Sequence, residues 1–94
     1  MKRNDYSIYN KVQKVKASKR NWNWIVLVEN GDYYEAYEED ADNVAGICGV
    51  GQFNRSNCLL NIAGFGKEYL KTNLAKMIKA GWRVSILGES YINN

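Results

Sequence analysis

Few residue types in this chain could act on a ligand. None of its 94 residues is histidine, which removes the commonest general base and the Ser-His and Cys-His nucleophile arrangements. Its two cysteines, Cys48 and Cys58, form no Cys-x-x-Cys pair and have no histidine to join them. That falls short of the four nitrogen or sulfur ligands of a structural zinc site. In a reducing cytosol both read as small core residues rather than a disulfide. Gly49-Val50-Gly51 follows no strand and has no third glycine opening a helix, so it is no phosphate cradle. Catalysis, a metal and a cofactor are therefore not expected. What remains is an aromatic ring beside a carboxylate, in Asn30-Gly31-Asp32-Tyr33-Tyr34-Glu35-Ala36-Tyr37. In an extended chain Tyr33, Glu35 and Tyr37 share one face and Tyr34 points the other way.

The flanking sequence supplies the elements that position this pair. Asn30-Gly31 is a strong hairpin signal, and it follows the apolar run Trp24-Ile25-Val26-Leu27-Val28. Residues 22–28 read as the best strand. Trp22, Trp24, Val26 and Val28 line one face and Ile25 and Leu27 the other, the pattern of an interior strand covered on both sides. Residues 38–47 read as a helix whose acidic start, Glu38-Glu39-Asp40, complements the helix dipole. Ala41, Val44, Ala45 and Cys48 give it a small-residue face, and Gly46, Gly49 and Gly51 stop it. The loop 49–57 carries Phe53 and Arg55, either a core plug and a solvent charge or a reach toward a partner. Residues 58–63 read as a strand, Gly64-Phe65-Gly66 as a turn, and 67–80 as a helix. That helix has Leu70, Leu74, Met77 and Ile78 on its core face and Gly81 at the position after its cap. Residues 82–87 read as the closing strand. Ahead of all this, residues 1–19 have a weak helical pattern, with Ile8, Val12 and Val15 as the docking stripe, Asp5 as a start signal and Ser18 near the break. The order is helix, strand, strand, helix, strand, helix, strand. It predicts a single α+β domain over 1–94, a mixed sheet with helices packed on it and a basic N-terminal arm at 1–20.

Gly31-Asp32-Tyr33-Tyr34-Glu35-Ala36-Tyr37 and Asp40-Ala41 resemble the Gly-Asp-Phe-Tyr-Glu-x-Phe…Asp-Ala signature of the N-terminal domain of the MutS mismatch-repair family. A second block, Ala63-Gly64-Phe65, then Leu74-Ala75-Lys76-Met77-Ile78-Lys79-Ala80-Gly81 and Val84-Ser85-Ile86, resembles that family's Ala-Gly-x-Pro segment, its Leu-Ala-Lys helix and the strand after it. The blocks fall in the family's order and the resemblance spans roughly residues 22–89. It implies that the aromatic ring, here Tyr33, wedges into DNA at a mispair, and that the carboxylate, here Glu35, contacts the displaced base. A step already weakened by a mismatch yields most easily to such a wedge. Three positions depart from the pattern. Tyr33 stands for phenylalanine, Glu29 falls where family members commonly carry a basic residue, and Gly66-Lys67-Glu68 replaces Pro-Tyr-His.

Charge is unevenly spread behind a net +3. Lys2, Arg3, Lys11, Lys14, Lys16, Lys19 and Arg20 face a single Asp5 in the first twenty residues. An acidic stretch from Glu29 to Asp42 follows, and the remainder is basic again, with Arg55 and Lys67 nearest the motif. Basic segments can track a phosphate backbone. The expected binding set is Tyr33, Glu35, Lys14, Lys16, Arg55 and Lys67. No apolar run approaches the ~20 residues of a membrane span and no secretory signal is visible, so a cytoplasmic setting is expected. No Gly-x-x-x-x-Gly-Lys-Ser/Thr sequence is present, so a freestanding recognition domain without ATPase activity is expected. A DNA-binding module ranks first. The alternative is a protein-interaction module, self-associating or binding another partner.

Overall fold

The computed structural model describes residues 4–19, 23–56 and 58–93. Trp22, Lys2, Arg3, Arg20 and Asn57, which figure in the expectations above, lie outside the described residues. The elements in order are α1 (Asp5–Ala17), β1 (Trp24–Asn30), β2 (Tyr33–Tyr37), α2 (Glu39–Cys48), β3 (Gln52–Phe53) and β4 (Ile62–Gly66). A 3₁₀ turn (Lys67–Tyr69), α3 (Leu70–Lys79), β5 (Arg83–Leu87) and α4 (Glu89–Ile92) complete it. The sheet order is β3-β4-β2-β1-β5. β1 with β2, β2 with β4 and β4 with β3 are antiparallel, whereas β1 with β5 is parallel. The mixed α+β architecture is the one the sequence predicts, enlarged by β3 and α4.

Period-two alternation sorts the strands onto two cores. Val26, Val28, Tyr37, Ile62 and Leu87 pack with Ile8 and Val12 of α1 and Ile92 of α4. Ile25, Leu27, Ala36, Ala63 and Phe65 face the other way, with Ala41 and Val44 of α2 and Met77 of α3. The two-sided reading of β1 holds. So does the α1 stripe, with Ile8 and Val12 buried and Val15 packed against them. Asn4, not Asp5, caps that helix by accepting from Ser7 N at 3.0 Å. Ser18 caps its far end.

Four expectations fail, those for one strand's bounds, one turn, part of the α3 stripe and one helix stop. The strand predicted at 58–63 begins at Ile62, and the predicted turn Gly64-Phe65-Gly66 is part of it. Gly64 is a packing glycine. A Cβ there would lie 2.9 Å from the Tyr34 carbonyl oxygen and 3.3 Å from Glu35 Cγ, so β4 can sit beside β2 only without a side chain. The core stripe of α3 is rotated from the predicted one. Asn73 and Met77 are buried, Leu70 and Leu74 half-buried, and Ile78 is 58% exposed. A 3₁₀ turn occupies the first three residues of the predicted helix, and within α3 the buried line runs through positions 70, 73, 74 and 77, leaving Ile78 at its edge. Gly46 lies within α2, which ends at Gly49. Gly81 does take the expected position, with φ +97. Its N–H donates to Ile78 O and that of Trp82 to Met77 O, both at 3.0 Å, the paired bonds of a Schellman motif.

Asp40 explains how α2 is seated. The β1–β2 ladder registers Val28 with Glu35 and Asn30 with Tyr33. Beyond it, the Val26 amide donates to Asp40 Oδ2 at 3.1 Å. The other carboxylate oxygen accepts from Lys16 Nζ at 2.6 Å. Asp40 is buried, so this helix-start acid ties α1, α2 and β1 together as well as meeting the dipole. Burial raises its pKa above the ordinary aspartate value, and the bonds from Lys16 and Val26 only partly counter that.

Candidate nucleic-acid interface

Gly31 and Asp32 form the turn between β1 and β2, one residue later than Asn30-Gly31, and Asn30 pairs with Tyr33 across it. Gly31 has φ +58, a conformation glycine adopts without a Cβ penalty. Neighbouring elements pin the turn. The Gly31 amide donates to Glu89 of α4, and the Asp32 carbonyl accepts from Lys67 N at 2.9 Å. Glu29 accepts from the Glu89 amide at 2.8 Å and from the Lys67 ammonium. The Lys67 bond, then the Glu89 bond, hold the Glu29 carboxyl below the usual range, and Glu29 raises Lys67 in turn. Glu29, the acid in place of a base, thus fastens the turn to the end of the chain.

Tyr33 opens β2 directly after this turn and is 57% exposed. Glu35, on the same face, is 5% exposed. Its carboxylate accepts from Asn30 Nδ2 at 3.2 Å and from the Tyr37 hydroxyl at 3.3 Å, and forms an ion pair with Arg55 Nη2. The other arm of the guanidinium reaches Asp5 Oδ1 at 3.0 Å. Burial works against the Arg55 charge, but Glu35 and then Asp5 outweigh it and hold the guanidinium above its ordinary pKa. Phe53 of β3 registers with Ile62 of β4, which registers with Tyr37 of β2. Directly opposed residues share a sheet face, so Phe53 joins the Tyr33 face. It is 45% exposed and lies 5.6 Å from the Arg55 guanidinium. Between the two aromatic residues is a cleft of about 310 Å³ lined by Asn30, Tyr33, Glu35, Phe53, Arg55 and Gly64.

The structure therefore brings three of the six predicted residues, Tyr33, Glu35 and Arg55, to one cleft. Lys67 flanks the hairpin turn, ion-paired to Glu29 with its ammonium 5.6 Å from the centre of the Tyr34 ring. Lys16 is committed to Asp40. Lys14 is exposed on α1. Elsewhere in the basic segment, Lys11 donates to the Ile92 carbonyl at 2.7 Å and Lys19 lies over the Trp24 ring at 4.2 Å. Sequence reasoning left Phe53 undecided between core and surface and did not place Asn30 or Gly64 at the site. For Phe53 the missing signal was a two-residue edge strand, too short to show alternation.

The family model described as MutS domain I matches residues 8–92. The DNA mismatch repair protein MutS of Salinibacter ruber is 34% identical over 77 residues, 79% of this chain and 8% of that protein. The protein of the same name from Parabacteroides distasonis is 42% identical over 65 residues, 66% of this chain and 8% of its own length. The chain thus spans about 8% of the length of these relatives. With the mixed five-stranded sheet and its packed helices, the match extends from sequence pattern to architecture. The chain belongs to the MutS domain I family.

Proposed function

We propose that this chain is a DNA-binding module that favours mismatched or distorted duplex, acting in the cytoplasm without nucleotide hydrolysis by its own residues. The observation that carries the reading is the exposed Tyr33 ring, held at the lip of a cleft by a turn fastened to α4 and to the start of the 3₁₀ turn. A ring projecting from a rigid hairpin can replace base stacking with ring–base stacking, and loses least at a step already weakened. Glu35 shapes the cleft through Arg55, and the exposed Lys14 supplies positive charge outside it. The name shared by the relatives, DNA mismatch repair protein, supports the same reading. A titration with matched, mismatched and single-stranded oligonucleotides at two salt concentrations tests it. Tighter binding to the mismatch, falling steeply with salt, is the expected result. Failure to bind any oligonucleotide at micromolar concentration would refute it.

A second reading, a protein-interaction module, draws on one observation. The sheet ends in β5, hydrogen-bonded to β1 on one side, and Ile86 of β5 is exposed, as is Ile78 of neighbouring α3. Self-association in sedimentation, with no response to DNA, would favour it.

A further inference from the structure

The cleft beside Tyr33 offers donors rather than acceptors. A carboxylate has roughly four lone-pair sites, and the Glu35 carboxylate already accepts from Asn30, Tyr37 and Arg55. It has little capacity left for the exocyclic amine of a base. Arg55 is in the opposite condition. A guanidinium carries five N–H groups in a fixed plane. Two serve Asp5 and Glu35, and the others have no partner among the described residues. The side chain is 30% exposed and lines the cleft. Its orientation is fixed from three sides, by Glu35 from β2, Asp5 from α1 and the Phe53 ring from β3.

Shape narrows the occupant further. Both aromatic residues at the cleft are about half exposed, Tyr33 and Phe53. A cleft of about 310 Å³ sits at the lower end of the ~300–1,000 Å³ range of small-ligand sites. Gly64 contributes no side chain to its floor. A flat group with acceptors along one edge satisfies the exposed aromatic surfaces and the preset donors together.

Resting on the reading of this cleft as DNA-facing, the geometry points to Arg55 as a specificity-determining residue that selects an unpaired guanine, through the O6 and N7 acceptors on that base's edge. On the edge that bases present in the major groove, guanine alone of the four offers two adjacent acceptors, O6 and N7, the pattern that arginine reads in a bidentate manner. The adjacent O2 and N3 of cytosine lie on its Watson–Crick edge, and tighter binding of an extra C than of an extra G would overturn the assignment. Phe53 supplies stacking surface without regard to base identity. Glu35 acts here as a positioning residue, because it aims Arg55 rather than touching the base.

The test uses the whole chain and fluorescence anisotropy on duplexes carrying one extra nucleotide, varied as G, A, C, T, hypoxanthine, 7-deazaguanine or an abasic residue. Guanine and hypoxanthine, which share O6 and N7, should bind about tenfold more tightly than the other natural bases. 7-Deazaguanine lacks N7 and should lose most of that preference. Arg55→Lys keeps a positive charge between the two carboxylates while removing the planar fork, and should bring the affinities for guanine and hypoxanthine down to those for the other bases. Phe53→Ala, at an exposed edge position, should weaken all bases alike and spare the abasic duplex. Equal affinity for all bases, or for guanine and 7-deazaguanine, would overturn the role of Arg55 while leaving DNA binding intact. Failure to bind any duplex would remove both readings. The nucleotide substitutions need no variant protein, so a poorly folded Arg55→Lys does not blunt the test.

Discussion

At Tyr33 the decisive quantity is the cost of one hydroxyl. A phenol pushed between bases leaves water, and an unsatisfied polar group costs about 1–3 kcal/mol. Tyr33→Phe should therefore preserve or improve the preference for mismatched over matched duplex. Tyr33→Ala should lose about 1–3 kcal/mol on distorted duplex, the scale of one aromatic–base stack, and less on paired DNA. Competition anisotropy with the two duplexes reads both effects, and unchanged binding by Tyr33→Ala would end the wedge role. Because Tyr33 is exposed, neither change should move the urea midpoint. Glu35 differs, since its side chain is buried and pairs with Arg55. Glu35→Gln leaves the guanidinium without one of its two carboxylates and should destabilise the fold by about 1–3 kcal/mol in urea unfolding. The pair was legible in the sequence because strand alternation fixes which residues share a face. The ion pair from Glu35 to Arg55 was not, because it joins residues from separate elements through a fold that local spacing does not describe.

The helices supply the sharpest contrast between sequence pattern and packing. A hydrophobic stripe marked α3 as core-facing, yet the face it buries is centred on positions 73 and 77, so Ile78 ended on the surface while Asn73 went inside. Met77→Ala should cost about 2–5 kcal/mol, as for a fully buried methionine, whereas Ile78→Ala should fall within about 0.5 kcal/mol of the parent. Thermal melts of the two variants check the rotated face. Acidic residues at the start of α2 were legible as helix-start chemistry, but an inward-turned Asp40 was not, since its partners are a strand amide and a lysine from another helix. Its raised pKa gives a pH signature. Folding favours the protonated form, so this group stabilises the fold most below its unfolded pKa, and that contribution is lost as pH rises through the folded value. Asp40→Asn removes the titration. The stability of the parent relative to Asp40→Asn should thus fall as pH rises through the carboxylate range, and a pH-independent difference in unfolding free energy would contradict the assignment.

For the molecule as a whole, net charge is a poor guide to where a polyanion would lie. Several cations of the basic N-terminal segment are spent on internal contacts, Lys16 on Asp40 and Lys11 on the end of α4. Lys14 is exposed. Lys14→Ala should reduce the salt slope of DNA binding by about 1 with stability unchanged. Lys16→Ala should instead cost about 1–3 kcal/mol of stability by leaving a buried carboxylate unpaired. Parallel salt titrations and urea curves separate the two. The architecture was legible because apolar runs and helix signals alternate along the chain, and Asn30-Gly31 marked the hairpin. The neighbour of β1 was not, because no local signal says which distant strand pairs with it.

That neighbour is β5, registered from Trp24 with Arg83 to Val28 with Leu87. During synthesis β1 would emerge as the first strand, and β2, α2, β3, β4 and α3 would follow before its parallel partner left the ribosome. Such distant pairings slow folding, since a long loop must close before the contact forms. A nascent chain halted before Arg83 should thus expose the open side of β1 and need protection from aggregation, a need that the emergence of β5 should relieve.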